Sequence, residues 1–311
     1  MRIHIIGAGA LGMLYGGKIA NHCLFKLFTH TEEQAKIIKD ESLVLTSLTG
    51  EVGLSSLAVS FFDQEDFISG EKPDWIFLMV KQKDLTDEVI HRISQGMGDE
   101  TNLLCFQNGM GHAEKLAAYV PNRQLWLAVT TEAARKSSTN TVLHTGQGST
   151  IFGPAFTEAS EDRGQEASRL ILLMESAMLL FEFSVSMEKA VWEKLIVNAV
   201  INPLSALLRV PNGELCHEEE RIGLMKDLFT EAMSISEAEG VLLSCQLWDK
   251  ILAICHATAL NRSSMLQDVE GGRVTENEWI SGAILRLARI RRIETPITDV
   301  IYRLIRTIDQ I

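Results

Sequence analysis

Residues 2–12 read RIHIIGAGALG, and this stretch decides how the chain begins to fold. The apolar, β-branched run Arg2–Ile6 predicts a buried strand, and Ala10–Asn21 has the pattern of a helix. Between them lies a GxGxxG turn, whose glycines allow a tight bend, a close approach of pyrophosphate and close helix–strand packing. We expect this turn to bind a dinucleotide on the N-terminus of the helix. The predicted contacts are Gly7, Ala8, Gly9, Ala10, Leu11 and Gly12.

The rest of the chain divides into two patterns. The first half alternates short apolar runs with helical segments, which predicts βαβ units and a parallel sheet. From Lys189 onward the periodicity is helical, with predicted helices over 188–208, 219–238, 246–260, 276–292 and 297–309. We therefore predict an α/β protein, with an N-terminal Rossmann-type parallel-sheet domain over 1–184 and an all-α C-terminal domain over 185–311. No Pro/Gly linker separates them, so we expect packed domains with a cleft between.

Composition excludes several classes of function. Hydrophobic residues make up 46% of the 311 residues and charged residues 23%, as in a globular chain. A net charge of −12, with 41 acidic and 29 basic side chains, argues against nucleic-acid binding. No signal peptide or membrane span is expected, and the five cysteines fit reduced thiols in a cytoplasm. No metal site is predicted, and the chain is expected to be a monomer or a homodimer.

Polar residues stand at three places where the predicted strands end. The second strand ends at Thr29-His30 without the acid that usually binds the ribose in NAD sites, which favours NADP(H) and makes His30 a candidate contact. Lys81 follows the buried strand Trp75–Val80, and Asn108 follows the next strand. Ligands bind at the carboxyl ends of parallel strands, so both are candidate cofactor contacts. Solvated loop positions are the alternative for His30 and Lys81.

The apolar helix that begins near residue 188 carries a polar face. Lys194, Asn198 and Asn202 recur every four residues and therefore share one side of the helix. A buried amide or ammonium without partners is costly, so these residues either form a satisfied seam between helices or face a ligand. Further on, Ser264 and Glu276 are each open to two interpretations, as helix-terminal residues or as parts of a site.

These motifs together resemble the 2-dehydropantoate 2-reductase, or ketopantoate reductase, family. The similarity covers nearly the whole chain in order. Its most specific marks are the Asn-Gly-Met-Gly string at 108–111 and the Ser-Ser-Met-Leu-Gln-Asp string at 263–268. Further marks include residues 130–135, 194–198, 201–204 and 211–215.

The resemblance implies NADPH-dependent reduction of 2-dehydropantoate to (R)-pantoate in pantothenate biosynthesis, at a site between the two domains. It implies that Lys194 is the catalytic lysine and Glu276 the essential acid. Lys81 and Asn108 would lie near the nicotinamide. The implied substrate contacts are Asn108, Lys194, Asn198, Asn202, Asn212, Asn261 and Ser264. His30 is a departure, because well-studied members carry an arginine there that binds the 2′-phosphate.

Two other classes of function remain open from the sequence. One is a different NAD(P)-dependent 2-oxoacid or β-hydroxyacid dehydrogenase, since a Lys-x-x-x-Asn helix after a Rossmann domain also occurs there. The other is a cofactor-binding sensor without turnover. The presence of both Lys194 and Glu276 argues against a sensor, which has no use for an acid–base pair.

Overall fold

The computed structural model describes residues 1–64, 66–156 and 163–310. The chain divides into two compact units. The first comprises Met1–Gln107 with His112–Met187, and the second comprises Asn108–Gly111 with Glu188–Ile311. The main division therefore falls at 187/188. The Asn108–Gly111 loop was predicted to belong to the N-terminal domain, whereas the structure groups it with the helical unit.

The first unit contains two sheets and six helices within the described ranges. The strands are β1 Arg2–Ile6, β2 Leu24–Thr29, β3 Leu43–Thr46, β4 Val52–Ser55, β5 Val59–Phe61, β6 Trp75–Leu78, β7 Asn102–Cys105, β8 Leu125–Thr130, β9 Ala133–Lys136, β10 Thr141–Gly146, β11 Ser149–Pro154 and β12 Leu180–Phe183. The helices are α1 Ala10–Ile19, α2 Glu32–Glu41, α3 Asp66–Ser69, α4 Asp87–Gly96, α5 His112–Ala117 and α6 Gly164–Ser176.

The larger sheet has the Rossmann order. Its strands run β12-β11-β8-β7-β6-β1-β2-β5, and β5, β2, β1, β6, β7 and β8 are mutually parallel. These six strands reproduce the doubly wound order 3-2-1-4-5-6, whose switch point lies between β1 and β6. Strand β11 pairs antiparallel with β8 and starts the two-strand extension. The predicted α/β fold with a parallel sheet is confirmed.

Both faces of this sheet are buried, as the near-continuous apolar strands predict. Ile3, Ile5 and Phe77 belong to one hydrophobic core, and Ile6 and Ile76 belong to another. Successive strand residues point to opposite faces, so the two cores lie on the two sides of the sheet. This double burial fixes the strand ends from which the candidate cofactor residues project.

The smaller sheet was largely missed by the sequence analysis. It has the order β4-β3-β10-β9 and packs against α1. Only β10 was predicted, because β4 is exposed and the other strands are four residues long, which leaves little alternation to detect. Beside β9, the Glu132 carboxylate lies 2.6 Å from Nε2 of His144, and both side chains are buried.

The second unit contains helices and loops, and no β-strand, within its described residues. Its helices are α7 Glu188–Leu208, α8 Glu219–Ala238, α9 Leu247–Ala257, α10 Ser264–Glu270, α11 Ser281–Arg291 and α12 Pro296–Ile308. Two short 3-10 helices cover Asn212–Cys216 and Asn277–Trp279. The predicted all-α character is confirmed, and α7 and α8 have the predicted bounds. Helix α10 was missed because seven residues are too few to show a periodic pattern.

Helix α7 is long and apolar enough to cross a membrane by length and composition alone. Most of its apolar side chains, including Leu195, Ile196 and Val200, instead belong to the hydrophobic core of the helical unit. This burial explains the apolar character of α7, as in the core helix of a globular domain. Its polar positions are therefore held on a rigid element.

Candidate functional site

The glycine turn after β1 has backbone geometry that other residues would not tolerate. Gly7 has φ +110°, and a Cβ there would lie 2.8 Å from the carbonyl carbon of Met79. A Cβ on Gly12 would lie only 1.8 Å from the carbonyl oxygen of Gly7. These two glycines therefore let the turn pack against the end of β6 and let α1 start directly behind the turn.

The middle glycine has a different environment. Gly9 is exposed and is the N-cap of α1, and a Cβ there would have no heavy atom within 4 Å. No side chain of the described residues caps this helix, and its first backbone bond runs from Met13 N to Gly9 O at 2.9 Å. The preceding N–H groups are thus available at the positive end of the helix dipole. This arrangement fits the pyrophosphate of a dinucleotide.

The segment after β2 is open and lacks an acid at the predicted position. His30 is exposed, between buried Thr29 and Thr31, the N-cap of α2. The Thr29 hydroxyl donates to the Thr31 carbonyl oxygen at 2.7 Å, which shapes the turn. Glu32 and Glu33 lie in the first turn of α2, as predicted. The side chain available at the strand end is therefore the imidazole of His30.

Lys81 lies at the same edge of the sheet. It is half-buried, follows Val80, and is the N-cap of the 3-10 helix Gln82–Asp84. The side-chain amide of Gln107, just beyond β7, donates to the carbonyl oxygens of Leu78 and Val80 at 2.9 Å each. Gln107 thus ties the ends of β6 and β7 together and fixes the segment that carries Lys81. This role of Gln107 was not predicted from the sequence.

In the helical unit, the 108–111 loop is fixed to the segment that carries Glu276. The Asn108 side-chain amide donates to Oε2 of Glu276 at 3.0 Å, and Met110 N donates to the carbonyl oxygen of Trp279 at 3.0 Å. Gly109 has φ +83°, and a Cβ there would lie 2.2 Å from the same Trp279 oxygen. The loop can approach Trp279 this closely only because residue 109 is glycine. Trp279 was not predicted, and no local sequence signal indicates this contact.

Glu276 and Lys194 interact electrostatically within this unit. Glu276 is buried at 7% exposure and precedes the 3-10 helix Asn277–Trp279. It was predicted at the start of a helix over 276–292, but α11 begins only at Ser281. Burial lowers the pKa of Lys194 to about 8, and the negative charge of Glu276 acts in the opposite direction. An ammonium group with this pKa releases its proton much more readily than an ordinary lysine.

Two further predicted residues lie on α7 with Lys194. Asn198 is half-buried, and Asn202, one turn later, is buried at 6% exposure. Close to this end of the helix, the Ser205 hydroxyl donates to the hydroxyl of Ser263 at 2.6 Å. Ser263 in turn accepts from Leu266 N at 3.0 Å and is the N-cap of α10. The hydroxyl pair therefore fixes the start of α10 to α7.

This cap assigns different roles to two neighbouring serines. From the sequence, Ser264 was interpreted either as a helix cap or as a binding residue. Ser263 is the cap, so the cap interpretation of Ser264 is wrong. Ser264 is the first residue of α10 and its side chain is exposed. Its hydroxyl is therefore placed at the surface of the unit, on the first turn of a capped helix.

Asn212 and Asn261 are connected through the backbone. Asn212 N donates to the carbonyl oxygen of Asn261 at 3.0 Å, and the Asn212 side-chain amide donates to the Thr258 hydroxyl at 2.9 Å. Asn212 is buried, and its Oδ1 has no hydrogen-bond partner among the described residues. Asn261 is exposed. Asn212 therefore anchors the segment before α10, and Asn261 presents its amide at the surface.

Comparison with known proteins agrees with this architecture. The family model described as ketopantoate reductase PanE/ApbA matches residues 3–156, and its C-terminal counterpart matches residues 186–309. The 2-dehydropantoate 2-reductase of Bacillus subtilis (strain 168) is 31% identical over 312 residues, covering 100% of this chain and 98% of that protein.

Solved structures show the same fold. A PanE/ApbA family ketopantoate reductase from Ralstonia eutropha JMP134 superposes with a TM-score of 0.88 at 25% identity, covering 100% of this chain and 99% of the other. A D-mandelate dehydrogenase, solved with NADH and anilino(oxo)acetate, superposes with a TM-score of 0.90 at 23% identity, covering 100% and 98% of the two chains. The second likeness concerns the fold alone. From the two family models and the full-length relative, the chain belongs to the ketopantoate reductase family of oxidoreductases.

Proposed function

We propose that the protein reduces the ketone of 2-dehydropantoate to (R)-pantoate, with NADPH as reductant, as a cytoplasmic step of pantothenate biosynthesis. Family membership and the reductase of Bacillus subtilis support this reaction. The observation that carries it is the pairing of Lys194, at a pKa of about 8, with buried Glu276 in one unit. This pairing supplies the acid that ketone reduction needs.

Lys194 is the proposed general acid. When bound, the dinucleotide supplies hydride to the carbonyl carbon, and negative charge then develops on the ketone oxygen. The Lys194 ammonium stabilises this charge by a hydrogen bond and gives its proton to the oxygen. A pKa near the working pH makes this transfer efficient, because the group is still protonated but holds its proton weakly.

Glu276 and Asn108 are the proposed partners of this acid. The Glu276 carboxylate favours the protonated form of Lys194, in opposition to the desolvation that lowers its pKa. Asn108 donates to one oxygen of that carboxylate at 3.0 Å and so orients it. Because Asn108 also follows β7, it is a candidate contact of both nicotinamide and substrate.

The substrate carboxylate and hydroxyl need neutral donors. Asn198 and Asn202, on the same face of α7 as Lys194, are proposed to bind the substrate oxygens. Ser264 and Asn261 are proposed to bind its carboxylate, since both side chains are exposed donors near the start of α10. Asn212 is proposed to act mainly by holding this segment, because its amide is already bonded to Thr258.

The proposed cofactor site is the glycine turn from Gly7 to Gly12, with Lys81 and His30. The turn would hold the pyrophosphate, and Lys81 would lie near the nicotinamide. NADPH is favoured over NADH because the end of β2 carries no acidic residue, and an acidic residue there would repel a 2′-phosphate.

The decisive test is the loss of NADPH absorbance on adding 2-dehydropantoate, compared with pyruvate, 2-oxoisovalerate and benzoylformate. We expect a kcat/KM for 2-dehydropantoate well above the other three. In Lys194→Ala, kcat should fall roughly 10²-fold or more, with NADPH affinity nearly unchanged. A preference for another 2-oxoacid would identify a related dehydrogenase, and tight NADPH binding without turnover would identify a sensor.

A further inference from the structure

The side chain of Gln34 donates hydrogen bonds to two carbonyl oxygens that lie outside its own helix. It lies in the first turn of α2 and is buried at 8% exposure. Its side-chain nitrogen donates to the carbonyl oxygens of Ala8 and Thr139, each at 3.0 Å. An amide nitrogen carries two hydrogens, and the two carbonyls use both, because the sulfur of Met13, 3.8 Å from the same nitrogen, is a weaker acceptor. Gln34 therefore connects the glycine turn to a second, distant segment.

That second segment is firmly fixed. Thr139 lies in the turn between β9 and β10 of the smaller sheet. The neighbouring Asn140 donates from its side chain to the carbonyl oxygen of Ser42 at 3.0 Å and accepts from Val44 N at 2.8 Å. The turn is thereby attached to β3 and to the end of α2. Gln34 thus holds the glycine turn against a fixed part of the smaller sheet.

Helix capping does not account for this geometry. Gln34 stands three residues after Thr31, the spacing of a capping box, in which its side chain would return to Thr31 N. The Thr31 hydroxyl does accept from Gln34 N at 3.2 Å, but the Gln34 amide donates to Ala8 and Thr139 instead. Thr31 is exposed, whereas Ala8 is 5% exposed. The Gln34 amide therefore bonds to the buried carbonyl of Ala8, because a buried acceptor without a donor costs more free energy than an exposed polar group.

The bond to Ala8 fixes the orientation of a cofactor-facing donor. The carbonyl of Ala8 and the N–H of Gly9 belong to one planar peptide and point in opposite directions. Holding the Ala8 oxygen on Gln34 therefore aims the Gly9 N–H away from the core. Gly9 is the exposed N-cap of α1, where the pyrophosphate of a dinucleotide is proposed to bind.

We propose that Gln34 is a positioning residue for the dinucleotide pyrophosphate. It holds the Ala8–Gly9 peptide in the orientation that presents the Gly9 N–H, and it makes this orientation depend on the β9–β10 turn. The inference rests on the proposed cofactor site and adds a residue of α2 that touches neither the cofactor nor the substrate.

The test compares Gln34→Met and Gln34→Glu with Ile38→Ala in the full chain. Met keeps the volume but has no donor, and Glu keeps the length but replaces the nitrogen by oxygen. Ile38 is fully buried in the same helix and cannot form hydrogen bonds, so Ile38→Ala controls for loss of stability. Four quantities are measured for each protein: the NADPH dissociation constant, the unfolding midpoint, KM and kcat.

We expect both Gln34 variants to bind NADPH about tenfold more weakly or worse, as for loss of one buried donor. KM for NADPH should rise while kcat at saturating cofactor and KM for the oxoacid stay near wild type. Binding of adenosine 2′-phosphate, which has no pyrophosphate, should not change. Ile38→Ala should lower the unfolding midpoint and leave NADPH binding unchanged.

Three results would overturn the inference while leaving the proposed function standing. These are wild-type NADPH affinity in both Gln34 variants, an equal loss of affinity in Ile38→Ala, or an equal loss of adenosine 2′-phosphate binding. A wild-type protein that binds neither NADPH nor NADH would overturn the proposed function together with this inference.

Discussion

Asn108 donates to the Glu276 carboxylate at 3.0 Å across 168 positions of sequence. The bond joins a residue that follows the fifth parallel strand of a Rossmann sheet to the acid whose charge raises the pKa of Lys194. Through this contact the 108–111 loop belongs to the helical unit, although the residues on either side of the loop in sequence belong to the other unit. The charge and orientation of Glu276 are therefore expected to depend on both segments.

Replacing Glu276 should move the pH dependence of the reaction. Lys194, with a pKa of about 8, is protonated below that pH and loses its proton as the pH rises through it. Activity that needs the ammonium should therefore fall above about pH 8. In Glu276→Gln the charge that raises this pKa is gone, so the alkaline limb of kcat should shift to lower pH.

Glu278→Gln is the matched control for this shift. Glu278 is an exposed acid two residues away, paired with Arg286 at 2.6 Å. Its removal takes away the same charge but should leave the alkaline limb in place. Equal profiles for the two variants would contradict a specific effect of Glu276 on Lys194.

Substitution of Gly109 should separate a clash from backbone strain. Gly109→Ala places a Cβ 2.2 Å from the Trp279 carbonyl oxygen, at φ +83°. Gly111→Ala has the similar φ of +101° but no heavy atom within 4 Å. Both substitutions should lower the free energy of unfolding by roughly 1–2 kcal/mol, because alanine is strained in the left-handed conformation. Only Gly109→Ala should also displace the loop and lower kcat. Urea unfolding and steady-state kinetics measure the two effects, and equal kcat values would argue against the clash.

The two serines at the start of α10 should give opposite phenotypes. Ser263→Ala removes the helix cap and should cost about 0.5–2 kcal/mol of stability. Ser264→Ala removes an exposed hydroxyl proposed to bind the substrate carboxylate, so it should raise KM for the oxoacid with little change in the unfolding midpoint. A raised KM in Ser263→Ala alone would reverse the assignment.

Cofactor preference should respond to His30. An arginine offers an always-charged, bidentate partner to a 2′-phosphate, so His30→Arg should tighten NADPH binding by about 1–2 kcal/mol and leave NADH nearly unchanged. His30→Glu should shift preference toward NADH. Dissociation constants of both cofactors for the three proteins measure this. An unchanged NADPH/NADH ratio would mean that the phosphate binds elsewhere.

Sequence alone predicted the features that depend on neighbouring residues. The glycine turn, the parallel strands beside it and the polar face of α7 each have a short-range pattern, and the structure contains all three. The partners of Gln34 could not be predicted, because the capping-box spacing indicates a local bond. The contact of Gly109 with Trp279 was also invisible, since it joins segments about 170 residues apart that have no shared pattern.

The helical unit consists of two segments that are separate in sequence, and this has a consequence for its folding during synthesis. The ribosome makes residues 108–111 well before Glu276 and Trp279, so the loop leaves the exit tunnel without the groups that will hold it. Domains otherwise tend to fold as units in the order of their synthesis. Closing so long a loop is entropically costly and belongs to a late folding step. A fragment of 188–311 made alone would lack this loop, and adding residues 107–112 as a separate peptide would supply the missing contacts.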